Sequence, residues 1–298
     1  MSGALRFGEW MKAVQAQTEA ALDAFLPAAS RTPTKLHEAM RYTVLGGGKR
    51  VRPLLAYAGG ELFGADADAV VRAACAVEMI HAYSLVHDDM PCMDDDDLRR
   101  GKPTVHVAYD EATALLVGDA LQAQAFEVIA GSTGVAPQRL VTMLRLLAEA
   151  AGSAGMCGGQ AIDLDSVGFK LSLEQLERMH QLKTGAMLRV SVLLGALAGR
   201  DLDAVELDAL KDYARAIGLA FQVVDDVLDA TEDSATLGKT AGKDAAANKP
   251  TYVSILGLEE SRALAEQLRQ QAHAALAPFG EQALRLRELA DLIVQRKA

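Results

Sequence analysis

The chain has 298 residues, half of them hydrophobic, and a formal net charge of −10. That is enough apolar material for one large domain or two small ones, and the acidic balance removes the nonspecific pull on nucleic-acid phosphates that surplus Lys and Arg provide. Three cysteines, Cys75, Cys92 and Cys157, stand at unrelated spacings with no CxxC pair, so neither a disulfide framework nor a zinc site is expected.

The opening MSGALRFGEWMKAVQAQTEAALDAF alternates polar with apolar residues instead of placing an apolar run after a basic start, which reads as a cytoplasmic chain. Apolar residues then recur at helical spacing, and only eight prolines interrupt them. This spacing predicts helices over 8–26, 35–46, 53–63, 67–90, 105–130, 137–152, 173–199, 203–230, 259–276 and 281–296. The apolar segments 140–151 and 186–199 meet Arg145, Glu149, Arg189 and Arg200 before reaching the roughly 20 residues of a bilayer span, so no membrane helix is expected. Gly131–Pro137, Gly152–Gly159 and Gly199–Asp203 read as turns, none long enough to divide domains. The expectation is one all-α domain over 1–298. Ala230–Pro250 is aperiodic and long, the mark of a functional loop.

Four stretches carry chemistry. In GGGKRVRP, residues 46–53, three glycines end one helix and Pro53 lies near the start of the next, so backbone amides with Lys49 and Arg52 can grip a phosphate without metal. By itself, such a turn is more often an ordinary interhelical connection. His81 lies seven residues before Asp88, only about 20° away around a helix, so the two share a face.

In HDDMPCMDDDDLRRGKPT, residues 87–104, six carboxylates from Asp88 to Asp97 precede Arg99, Arg100 and Lys102. Pro91 stops the helix near Asp88 and Asp89, and a bend returns Asp94 towards the same place. Hard oxygen ligands in that number suit magnesium. Arg99 and Arg100, as neighbours, send their side chains apart, which suits two anions better than one. In FQVVDDVLD, residues 221–229, Gln222, Asp225, Asp226 and Asp229 fall on one helical stripe. Such a stripe alone is usually a solvated face, but its apolar setting points to a cleft. The two acidic helix ends, Asp88 and Asp225, are 137 positions apart and form a pseudo-symmetric pair.

Together with GGQAIDL at 158–164, KTG at 183–185 and LGK at 237–239, these segments closely resemble the trans-prenyltransferases, or polyprenyl diphosphate synthases. Within them the resemblance is to the bacterial farnesyl diphosphate synthase type, over essentially the whole chain. It implies a single-domain isoprenoid synthase bundle of helices around a central apolar cavity. It further implies that isopentenyl diphosphate is joined to dimethylallyl and geranyl diphosphate to give (2E,6E)-farnesyl diphosphate. Magnesium, more than one ion, with manganese as a substitute, would be bound by Asp88 and Asp94, with Asp89 supporting, and by Asp225, with Asp226 and Asp229 completing the second motif. Lys49, Arg52, His81 and Arg100 would bind isopentenyl diphosphate. Arg99, Lys183, Thr184, Gln222 and Lys239 would bind the allylic diphosphate and its cation, beside Gln160, Asp163 and Lys249.

Tyr83 is the family's expected floor for a growing tail, although helical geometry alone puts Ser84 nearer the face of Asp88. The basic end, Arg296 and Lys297, and the 230–250 loop would close over the substrates. The family also implies a homodimer. The rival readings are a geranyl or geranylgeranyl diphosphate synthase, a terpene cyclase, which needs no second diphosphate pocket, and a non-enzymatic helical scaffold.

Overall fold

The computed structural model describes residues 5–169, 171–231 and 250–296. The all-α expectation holds, with helices α1 (Phe7–Phe25), α2 (Thr34–Val44), α3 (Val51–Leu62), α4 (Ala67–Asp88), α5 (Val105–Ala108), α6 (Glu111–Ala130), α7 (Pro137–Ala151), α8 (Met156–Asp165) and α9 (Leu173–His180). A π-helical turn, Gln181–Gly185, leads into α10 (Ala186–Gly199), followed by α11 (Ala204–Thr231), α12 (Tyr252–Leu256), α13 (Leu258–Ala275), a 3-10 turn (Ala277–Ala283) and α14 (Leu284–Gln295).

Four details depart from the sequence reading. The predicted helix 105–130 breaks at Asp110, which adopts extended backbone and caps α6 by accepting the Thr113 amide at 2.7 Å. Helix α8 starts inside the expected 152–159 turn, and α12 was not anticipated. A two-residue antiparallel hairpin, β1 (Leu98–Arg99) with β2 (Lys102–Pro103), turns through Arg100 and Gly101, both at positive φ as a tight hairpin turn requires.

The chain divides into two compact units, Met1–Arg145 with Ser191–Asp201, and Leu146–Val190 with Leu202–Ala298. The chain crosses between them three times, twice within helices, α7 and α10, and once in the short turn between α10 and α11, which is why no linker composition marks the division. In the first unit α4 packs against α3 and α6, and its Ala73, Ala74, Ala76 and Val77 are wholly buried. Small side chains on several faces let neighbours approach from more than one direction, so α4 is a core helix rather than an amphipathic surface one. In the second unit α11 packs along α13 and α14, and the buried Tyr213 hydroxyl donates to the Leu286 carbonyl at 2.6 Å.

By length and composition alone, three helical stretches could cross a membrane: Ala67–Asp88, Pro137–Asp165 and Leu173–Gly199. Their most apolar windows are 72%, 33% and 72% buried within the protein. Charged residues therefore interrupt these stretches less than the sequence reading supposed.

Candidate active site

In the first unit the site begins where α4 stops. Pro91 disfavours helical geometry at the residue before it, and α4 accordingly ends at Asp88 with Asp89 as its helix-like cap. The chain then folds back on itself. The Asp94 amide donates to the Asp88 carbonyl at 2.9 Å, Asp95 to Met90 at 3.2 Å and Asp96 to Asp89 at 3.1 Å. Thr104 closes the far end, its amide on the Asp97 carbonyl and its hydroxyl on the Asp96 carbonyl. The bend expected from Pro91 thus returns Asp94 to Asp88. Asp89 is held differently: it is buried, and Arg99 donates to its carboxylate from Nε at 2.9 and 2.8 Å and from Nη2 at 2.5 Å. Burial raises the Asp89 carboxyl above its ordinary range, against the pull of Arg99.

Beside this loop lies a cavity of about 110 Å³ whose polar wall includes Gly47, Arg50, Glu78, His81, Asp89, Arg99, Arg100 and Lys102. His81 and Arg100, which the resemblance assigns to one substrate, both line this cavity, but Asp89 rather than Asp88 joins them, and Lys49 and Arg52 are not among the wall residues. Burial, then Arg52, Arg100, Arg99 and Arg50, hold the His81 imidazole far below its ordinary pKa, so it enters the cavity uncharged at neutral pH. The two neighbouring arginines do diverge: Arg99 grips Asp89, while Arg100 Nη1 donates to the Gly47 carbonyl at 2.9 Å. Gly48 has φ 136°, a backbone conformation that other residues adopt only under strain, which is why glycine suits the point where the loop meets that guanidinium.

Sequence reasoning missed Arg50. It is buried, donating from Nη1 to Glu78 Oε1 at 2.7 Å, and from Nη2 to Glu19 Oε2 at 2.6 Å and the Val44 carbonyl at 2.7 Å. A lone Glu78 in the apolar run of α4 was the available signal, since a buried carboxylate needs a cation. Glu19 also holds the glycine loop directly, its Oε1 accepting the amides of Gly46 at 2.7 Å and Gly47 at 3.3 Å. Tyr83 is buried, its hydroxyl accepting from Gln122 Nε2 at 3.4 Å and its ring edge-on to His87, whereas Ser84 donates back to the His81 carbonyl.

In the second unit the π-turn carries Lys183 and Thr184. Extra backbone turns of this kind recur at functional sites because they re-aim side chains. Gly159 of α8 packs against the turn so closely that a Cβ there would stand 2.2 Å from the Lys183 nitrogen. The Lys183 ammonium pairs with Asp163 at 2.6 Å. A chain of contacts then runs from Thr184 Oγ1 to Gln222 Oε1 at 3.4 Å, from Gln222 Nε2 to Asp226 Oδ1 at 3.2 Å, and from the Tyr252 amide to Asp226 Oδ2 at 2.8 Å.

Asp226 is buried, while Asp225 and Asp229 are half-buried on the same continuous helix. Arg296 stands against Asp225 at 2.5 Å, lies 3.8 Å over the Phe221 ring, and donates to the Phe221 carbonyl at 2.8 Å. Gln160 is buried on α8. Lys239, Lys249, Lys297 and most of the 230–250 loop lie outside the described residues.

Among the described residues no three His, Cys, Asp or Glu side chains form a closed metal-binding group. Magnesium does not ask for one: it keeps several waters and takes one or two carboxylates plus substrate phosphates. The all-oxygen donor set suits it, Asp88 and Asp94 are drawn together by the backbone, and Arg296 already answers the charge of Asp225. The residues therefore fit the ion.

The Polyprenyl synthetase family profile matches residues 33–281. Farnesyl diphosphate synthase of Escherichia coli is 48% identical, over 97% of this chain and 99% of its own. The chloroplastic geranylgeranyl pyrophosphate synthase of Catharanthus roseus is 52% identical over 89% of this chain and 75% of its own. The crystal structure of an FPP/GFPP synthase from Zymomonas mobilis superposes with a TM-score of 0.87 at 44% identity, covering 97% and 98% of the two chains. With the matched segment taking in the glycine loop, both aspartate stretches and the lysine of the π-turn, the chain belongs to the polyprenyl synthetase family.

Proposed function

We propose that the protein is a trans-prenyltransferase that condenses isopentenyl diphosphate with dimethylallyl and then geranyl diphosphate, releasing (2E,6E)-farnesyl diphosphate. The observation that carries this reading is the cationic cavity beside the Asp88–Asp97 loop, walled by His81, Arg99, Arg100 and Lys102. A terpene cyclase ionises one diphosphate and has no use for a second such pocket, and a scaffold protein has no use for either. The relatives above support the farnesyl product, with geranylgeranyl the nearest alternative.

Magnesium, in more than one ion and replaceable by manganese, would be held by Asp88 and Asp94 and by Asp225, and it supplies the charge that lets the allylic diphosphate depart. Asp89, Asp226 and Asp229 support those ligands. Lys183 and Arg99, with Lys239, hold the allylic diphosphate in place while its carbon–oxygen bond breaks. The hydroxyl of Thr184 and the amide oxygen of Gln222 offer electron density to the resulting allylic cation. Lys49, Arg52, His81 and Arg100 hold isopentenyl diphosphate, whose double bond supplies the electron pair for the new carbon–carbon bond. Proton loss to the released diphosphate restores the alkene, the role that the family resemblance gives to that leaving group. The tail grows towards Tyr83, whose buried ring limits its length.

The reading extends to a single catalytic domain over 1–298, a homodimer, no membrane span and a cytoplasmic location. Exposed Leu115 and Leu116, adjacent on α6, support a dimer, since a second copy could cover them. Three free cysteines support a reducing compartment. The test supplies purified protein with isopentenyl diphosphate, dimethylallyl or geranyl diphosphate and magnesium, and identifies products with and without chelator. Chelator-sensitive fifteen-carbon product is expected. Cyclic hydrocarbon from farnesyl diphosphate alone would replace this reading with a cyclase, and a twenty-carbon product would change the chain length.

A further inference from the structure

Gly46, Gly47 and Gly48 have φ of 114°, 84° and 136°, and Arg50 follows at 50°. Three glycines in succession have little conformational preference of their own, so a loop of this kind holds one shape only if its surroundings impose it. The surroundings are two side chains of α1 one turn apart, and hence on the same face. Glu19 takes the Gly46 and Gly47 amides with one oxygen and Arg50 with the other, and Gln15 Nε2 donates to the Lys49 carbonyl at 3.0 Å. Arg100 also holds the loop, through the Gly47 carbonyl. Helix α1, Phe7–Phe25, lies before the segment 33–281 that matches the family.

We propose that Gln15 and Glu19 are positioning residues for isopentenyl diphosphate, acting through the Gly46–Arg50 loop to fix where Lys49 and Arg52 leave the backbone. The inference rests on the reading above that these cations bind that substrate. Glu19 has two effects. It engages the Gly46 and Gly47 amides and so fixes the loop's path, and with Glu78 it commits Arg50 to the protein.

The test is Glu19→Gln, which keeps the shape and removes the charge, with Gln15→Ala as a gentler second variant. Binding of isopentenyl diphosphate alone, without metal, is measured by calorimetry, and steady-state constants are measured for both substrates. Loss of one charge-assisted contact set predicts about tenfold weaker binding for Glu19→Gln and about threefold for Gln15→Ala. The rise in KM for isopentenyl diphosphate should exceed any change in kcat or in allylic KM by about fivefold or more. Equal rises in both KM values, or unchanged binding, would overturn the inference. If Glu19→Gln does not fold, unchanged binding by Gln15→Ala overturns it. Failure of the wild type to bind isopentenyl diphosphate would overturn the functional reading and this inference with it, whereas wild-type binding with unaltered variants overturns this inference alone.

Discussion

Asp226 offers the sharpest separation between a carboxylate that serves a metal and one that serves the fold. It is 6% exposed, and each oxygen accepts a hydrogen bond, one from Gln222 Nε2 at 3.2 Å and one from the amide that opens α12 at 2.8 Å. Asp226→Ala strands two donors in a buried place. At about 1–3 kcal/mol for each unsatisfied group, and allowing for relaxation of the Gln222 side chain, the expected loss is about 3 kcal/mol. Asp226→Asn should cost only about 1 kcal/mol, because its oxygen can face the Tyr252 amide while Gln222 turns its carbonyl to the new NH₂ and its own NH₂ to Thr184 Oγ1. Urea unfolding of the three proteins at pH 7 reads these differences as shifts in midpoint. Were Asp226 chiefly a metal ligand, removing it would relieve repulsion from Asp225 and Asp229 in the metal-free protein. Alanine would then be tolerated or stabilising. A loss below about 1 kcal/mol for Asp226→Ala therefore refutes the network argument.

Tyr83→Ala should lengthen the product and, by opening a cavity under α4, cost about 3 kcal/mol of stability; an unchanged product distribution removes Tyr83 from chain-length control. His180 is buried against Tyr252 with no hydrogen-bond partner for either ring nitrogen among the described residues, and burial pushes its pKa down to about 4. A histidine depressed below its unfolded value leaves stability intact above about pH 6.5 and loses it as pH falls towards 4, by about 2 kcal/mol between pH 7 and 5. His180→Phe keeps a ring against Tyr252 and should lose about 2 kcal/mol less over that interval, and equal losses in urea unfolding would count against the argument. Arg296→Ala removes the cation facing Asp225 and should tighten magnesium binding about threefold by calorimetry; unchanged or weaker binding refutes competition between guanidinium and ion.

Much of this architecture was legible because periodicity and punctuation are local. Pro91 marked the end of α4 and the return of Asp94, and the 221–229 stripe landed on an unbroken helix. What escaped was nonlocal or depended on one backbone angle. Asp110 followed by Glu111 carried a helix-start signal, but the apolar period runs on through it and hid the restart of α6. Arg50 stood between two residues with expected roles, and its partners Glu19 and Glu78 come from distant helices. The hairpin was hidden because its turn is set by positive φ at Arg100, a residue type that seldom adopts it. Glycines at 46–48 correctly signalled an unusual turn, but not that their amides face an acid of α1.

The close packing of α4 has a consequence for how this protein can vary. Glu78, His81, Tyr83 and Asp88 all project from one buried rod, so their angular spacing is fixed by helical pitch and not by local loops. Inserting a single residue between Tyr83 and Asp88 would swing one end by about 100° relative to the other and would force a row of close-set alanines against their neighbours. Changes in product size should therefore arise from exchanging bulk at fixed positions along the rod, as one files notches in a ruler without altering its length.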